Sequence, residues 1–131
     1  MAYSLAAWVG AHTDLMNRIN AGAGASTVKI KSAAGTTLAT ATIDEEDTNV
    51  DLQSAVLAFV IAVNESSATA GVAAYADICD GDETPHVRLP CQQGFAFSPG
   101  YAVLNNLNIQ SGGAVDVLLA QIVPPAGSII V

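Results

Sequence analysis

The sequence predicts a mainly β fold: an antiparallel β-sandwich or jelly-roll-like domain of about 7–8 short strands, preceded by one N-terminal α-helix. Three observations predict it. From Ser26 onward apolar residues recur with period two, the spacing of a strand with one covered face. Turn signals rich in Gly, Pro, Asp and Ser interrupt that pattern at short intervals. Only the stretch 4–19 carries an apolar stripe at helical spacing.

The helix comes first. Leu5, Trp8, Val9, His12, Leu15, Met16 and Ile19 fall on one face of Ser4–Ile19. Ser4 is the N-cap, and Ala21-Gly22-Ala23-Gly24 supplies the glycine stop. Residues 1–24 therefore read as a helix and Gly-rich hinge, 25–123 as the β domain, and 124–131 as an extended apolar tail. His12 on the apolar stripe reads as a satisfied core or interface histidine.

The strands follow in order. Val28 and Ile30 alternate with Lys29 and Lys31, then Ala33-Ala34-Gly35 turns into a Thr-rich partner strand, Thr36 to Ile43. The phase slips between Leu38 and Ile43, which predicts a bulge, and Asp44-Glu45-Glu46-Asp47 reads as a solvated acidic loop. Ala55 to Val63 is almost continuously apolar, as for a central strand covered on both faces. Asn64 to Gly71, with Ser66 and Ser67, is a polar loop. Val72 to Cys79 alternates, and Asp80-Gly81-Asp82-Glu83-Thr84-Pro85 is a turn in which Asp-Gly supplies positive φ. Val87 to Cys91 returns, with Pro90 placing it at an edge or strand end. Gly94 to Phe97 is a short strand stopped by Ser98-Pro99-Gly100. Tyr101 to Ile109 and Ala114 to Val123 form a hairpin around Gln110-Ser111-Gly112-Gly113, with Val115, Val117 and Leu119 on one face.

Composition sets what such a domain can do. The 131 residues are 51% hydrophobic and 12% charged, with net charge −8 and mean hydropathy +0.42. An average soluble domain is about 25% charged. A domain this size buries only about two-thirds of its unfolded surface, so part of the apolar inventory lies at the surface, where patches mark interfaces. The acidity argues against nucleic acid and anionic membrane as partners, since only Arg18, Lys29, Lys31 and Arg88 are available to neutralise phosphates. The tail Pro124 to Val131 ends in Ile129-Ile130-Val131, and an apolar tail is expected to dock, on its own domain or as an arm on a neighbour. The interface candidates are accordingly Trp8, Leu15, Met16, Ile129, Ile130 and Val131. No segment reads as a signal peptide or membrane span, which leads to the expectation of synthesis in the cytosol.

Little in the chain asks for catalysis. Cys79 and Cys91 stand twelve positions apart without a C-x-x-C or His companion, and read as two reduced, packed thiols, with a cross-strand disulfide the other possibility. Ser66, Ser67, Ser98 and Ser111 lie in turns without a G-x-S-x-G context. Asp77, Asp80, Asp82 and Glu83 are the better candidates for a hard cation, although the EF-hand register is absent. No catalytic residue, cofactor or metal ligand is assigned, and the expectation is a protein that is not an enzyme.

The order of elements resembles a known group of proteins. Asn20-Ala21-Gly22-Ala23-Gly24-Ala25 closes the helix, and strands follow at Val28-Lys29-Ile30 and Thr36 to Ile43. Then come Ala68-Thr69-Ala70-Gly71 before Val72 to Ile78, the Asp80-Gly81-Asp82 turn, and Leu107-Asn108-Ile109-x-Ser111-Gly112-Gly113-Ala114-Val115-x-Val117. Over roughly Arg18 to Val123 this resembles the small virion proteins of tailed bacteriophages, of the capsid decoration (cement) or head/tail accessory type. The resemblance rests on turn and strand punctuation. It implies a structural protein of the virion, at the capsid surface. The implied state is a homo-oligomer, a trimer, whose partners are other copies, the major capsid protein or other virion subunits. A head–tail or tail accessory subunit is the alternative within that group. A carbohydrate-binding or calcium-dependent β-sandwich module is the alternative outside it, although aromatics at 5% give such a carbohydrate site thin support.

Overall fold

The computed structural model describes residues 2–65, 67–96, 98 and 100–130. The elements in chain order are β1 (Tyr3–Ser4), α1 (Leu5–Ile19), β2 (Thr27–Lys31), β3 (Thr37–Val50), β4 (Leu57–Val63) and β5 (Gly71–Val72). They continue with β6 (Tyr75–Cys79), β7 (Pro85–Gln93), β8 (Ala102–Leu104), β9 (Asn108–Ile109), β10 (Val117–Ile122) and β11 (Ile129–Ile130).

The fold is mainly β with one N-terminal helix, but the main sheet is a closed barrel and not two stacked sheets. Its strand order is β10-β4-β3-β2-β6-β7-β8, returning to β10. Two further pairs lie outside it, β5 with β9 and β1 with β11. Every barrel pairing is antiparallel except that of β7 with β8, where Cys91 pairs with Ala102 and Gln93 with Leu104. That parallel contact lies beside the antiparallel pairing of β8 with β10 that closes the ring. Alternation cannot announce such a pairing, because antiparallel and parallel neighbours leave the same period in the chain. The inner wall suits a narrow barrel: Ala39, Ala41, Ala76, Ala102 and Ala120 are buried beside Val28, Ile30, Leu57, Phe59, Ile78 and Leu104. Each large side chain removed from water in this way contributes about 1.5–3 kcal/mol.

α1 starts where expected. Ser4 Oγ accepts from the Ala7 N–H at 3.2 Å, and Asn20 ends the helix with its N–H on the Met16 carbonyl at 2.9 Å. Ile19 enters the core with Leu15 and Met16 packed against it. The helix touches β3, β4 and β7, strands from different sides of the ring, so it covers one mouth of the barrel.

Several strands differ from the sequence reading. The acidic stretch 44–47 is part of β3: Asp44 pairs with Val60 and Asn49 with Ala58, leaving an irregular bulge between them. Its backbone is held because the Asp44 carboxylate accepts from the Glu46 and Asp47 N–H groups. β4 is covered on one face only, since Val60 is 40% exposed and Val63 60%. The expected strand Val72 to Cys79 divides at Ala73, with β5 pairing β9 and β6 entering the barrel. Likewise Tyr101 to Ile109 divides into β8 and β9. β7 is not an edge, although Pro90 lies one residue before its pairing with β8 begins. The described part of Gly94–Phe97 forms no strand, and Phe97, Ser66 and Pro99 lie outside the described residues.

Candidate functional site

No reactive group is assembled among the described residues. What the fold does build is a barrel whose outer wall differs sharply from side to side.

On β2, β6 and β7 the alternating positions that point away from the core carry charge. Val28, Ile78 and Val87 share one inward row of the register, and Lys29, Asp77 and Arg88 share the next, outward one. Asp77 is almost wholly buried, at 2% exposure. Its carboxylate accepts from Arg88 Nε at 2.8 Å and Nη2 at 3.2 Å, and Lys31 Nζ lies 3.7 Å away. The Arg88 guanidinium holds Asp77 below the usual carboxylate range and is itself raised in return. It also lies 4.0 Å over the Tyr75 ring. Three of the four Lys and Arg residues thus meet on one face, though they are scattered along the chain. Aligning the outward phases of the three strands is the signal that joins them.

The β6–β7 turn continues this face. Asp80 accepts from the Asp82 and Thr84 N–H groups and from His86 Nε2 at 2.9 Å, so its pKa falls, first because of His86 and then because of the Thr84 N–H. Lys29 pairs with Glu83 at 3.2 Å. Glu83, not Gly81, takes the positive φ, at 65°. Asp77 and Asp80, two of the four carboxylates considered for a hard cation but not assigned as ligands, are thereby engaged by protein donors. Among the described residues no three His, Cys, Asp or Glu side chains gather as a metal site. An open groove of about 210 Å³ runs beside Arg88, lined by Asp77, Pro85, His86, Val87 and Arg88. His86 faces Asp80, but no Ser or Cys side chain is hydrogen-bonded to it to act as a nucleophile, among the described residues.

The wall formed by β4 and β10 is apolar. Val60, Val63 and Leu118 project from it, while Phe95, 86% exposed, and Tyr101 are exposed in the segment between β7 and β8. The acidic bulge borders this wall, because Asp44 sits directly opposite Val60. Glu46 and Asp47 are exposed, and no salt bridge reaches residues 44–47 among the described residues.

Of the interface candidates from sequence, Trp8 meets the segment that carries Ile129 and Ile130. Trp8 Nε1 donates to the Ser128 carbonyl at 2.9 Å, and the Tyr3 N–H donates to the same oxygen at 2.8 Å. Tyr3 and Ser4 pair in parallel with Ile129 and Ile130. The Trp8 ring lies between Tyr3 and His12, at 5.0 and 5.5 Å, and His12 is buried with Nδ1 on the Ala55 carbonyl. Leu15 and Met16 pack on the barrel core. Ile130 remains 59% exposed, and Val131 lies outside the described residues.

The two cysteines sit near opposite ends of the β6–β7 pair: Cys79 pairs with Pro85, while the Cys91 N–H donates to Ala74. Five residue steps of extended chain lead from Ala74 to Cys79, roughly 17 Å, well beyond the reach of a disulfide. Burial raises both thiols, Cys91 to about 12, which leaves them protonated and unreactive.

Comparison with protein-family models, curated proteins and solved structures finds no match to this chain.

Proposed function

We propose that this chain is a non-enzymatic structural subunit of a tailed-bacteriophage virion, a decoration or cement protein that binds the head lattice as a homo-oligomer, in its simplest form a trimer. The observation that carries this reading is the division of the barrel's outer wall. A charge-poor apolar face on β4 and β10 stands apart from an ion-paired face on β2, β6 and β7. A lattice-binding protein needs that combination, one face to bury and one to stay in water. The resemblance in strand and turn punctuation supplies the virion. Gold-labelled antibody against the chain, applied to particles released from cells that make it, tests the proposal. Label on the heads is expected; label on tails would move the subunit to the accessory position, and unlabelled particles would overturn the reading.

A further inference from the structure

Resting on that reading, we propose that the β4–β10 wall and the acidic bulge at its border dock on a different subunit, one that presents an apolar patch edged with Lys or Arg. Val60, Val63 and Leu118 are exposed on these two adjacent strands. An exposed apolar cluster with a polar rim has the form of a protein–protein contact. The rim here is acidic. Asp44 pairs with Val60 across the β3–β4 ladder, so the carboxylates that follow it stand beside the wall. The Asp44 carboxylate accepts from the Glu46 and Asp47 N–H groups, at 3.1 and 3.3 Å, which orders the bulge. Glu46 and Asp47 are themselves exposed, and neither makes a salt bridge among the described residues. Two unneutralised carboxylates held at the edge of an apolar face set the charge of what docks there.

A second copy of this chain does not offer that charge. No Lys or Arg occurs between Lys31 and Arg88 or after Arg88, so β3, β4 and β10 carry none. The four cations lie elsewhere, and each already has a carboxylate. Arg18 meets Asp14 at 2.8 Å and Lys29 meets Glu83 at 3.2 Å, while Asp77 takes Lys31 at 3.7 Å and Arg88 at 2.8 Å. Two copies at net −8 repel at long range. Two walls packed face to face would bring two bulges to one interface with no cation between them. Opposite charge around an apolar patch speeds encounter and selects the partner, whereas a like-charged rim is rejected. The ion-paired face of β2, β6 and β7 takes no part and stays in water.

The test is co-sedimentation of the purified chain with heads purified from particles made without it, at low salt and at about 0.5 M salt, where screening is short-ranged. The unaltered chain is compared with Val60→Ser and with two charge variants. One is Glu46→Gln with Asp47→Asn, in the bulge. The other is Asp82→Asn with Glu83→Gln, which removes two charges from exposed positions on the ion-paired side. The unaltered chain is expected to bind, at least tenfold more weakly in high salt. The bulge variant is expected to bind at least tenfold more weakly at low salt and to lose most of the salt dependence. The Asp82 and Glu83 variant is expected to bind as the unaltered chain does, and Val60→Ser to bind more weakly at both salts. No binding at low salt, binding indifferent to salt, or equal weakening by the two charge variants overturns the proposal. So does an oligomer, seen by light scattering, that the unaltered chain forms and Val60→Ser does not, since that seats a second copy on the wall. Should Val60→Ser unfold, the two charge variants decide, because their side chains are exposed. Heads that carry antibody label but bind without regard to the bulge leave the virion reading standing and end this contact alone; unlabelled particles end both.

Discussion

Gly81 and Gly24 meet backbone to backbone: a Cβ on Gly81 would stand 2.2 Å from the Gly24 carbonyl oxygen and 2.8 Å from its nitrogen. The contact is closed by the Gly81 N–H on the Ala21 carbonyl at 2.8 Å and the Gly24 N–H on the Gly81 carbonyl at 3.2 Å. It fastens the β6–β7 turn to the segment that joins the helix to the barrel. The glycine of the Asp-Gly pair is thus required for close approach and not for its φ.

Gly81→Ala is therefore expected to destabilise the fold by about 3 kcal/mol, because backbone and not a flexible side chain must move. Gly10→Ala is the opposite control. Nothing lies within 4 Å of a Cβ there, and alanine in an exposed helix interior is expected to stabilise by about 0.5–1 kcal/mol. Urea unfolding of both variants measures the pair, and equal effects would refute the contact.

Trp8→Phe keeps the ring packing and removes the donor to the Ser128 carbonyl. A loss of about 1 kcal/mol is expected, the net value of one such bond. Hydrogen exchange at the Tyr3 amide, which shares that oxygen, should quicken in the variant while the barrel amides keep their protection.

Asp77 gives the fold an acid limb. Its pKa is lowered in the folded chain, chiefly by the Arg88 hydrogen bond, from an ordinary value of 3.8. The stabilisation is therefore full above that ordinary value and is lost as pH falls through the depressed one. Melting temperature followed from pH 6 to pH 2 should drop in that window. Arg88→Gln should lower the plateau by roughly 5 °C or more, because a buried carboxylate loses its main partner, and should flatten the limb.

Both thiols are expected to resist a thiol reagent at pH 8 in the folded chain and to react promptly once it is unfolded. Cys91 is the more informative, since burial alone lifts it to about 12. A fast native reaction at Cys91 would mean that the β7–β8 end of the barrel opens.

The sequence carried the local order of this fold further than its closure. Ser4 as cap, the helical stripe ending at Ile19, the alternation through Val28–Lys31 and the bulge before Ile43 are all local signals, and the helix and strands form there. The parallel seam of β7 and β8 rests on contacts between residues 91 and 102, across a loop, and no periodicity encodes it. The same holds for the charged face: Lys29, Asp77 and Arg88 are neighbours only once three strands are in register. Trp8 and the closing segment stood out as apolar features needing cover. Nothing local could say that they cover each other.

The proposed structural role in a particle is tested most directly by the copy number of the chain. Quantitative mass spectrometry of purified particles from cells that make it should find the chain in many copies, in a fixed ratio to the major shell subunit. Particles that lack the chain, or carry it in amounts that vary between preparations, would contradict the account.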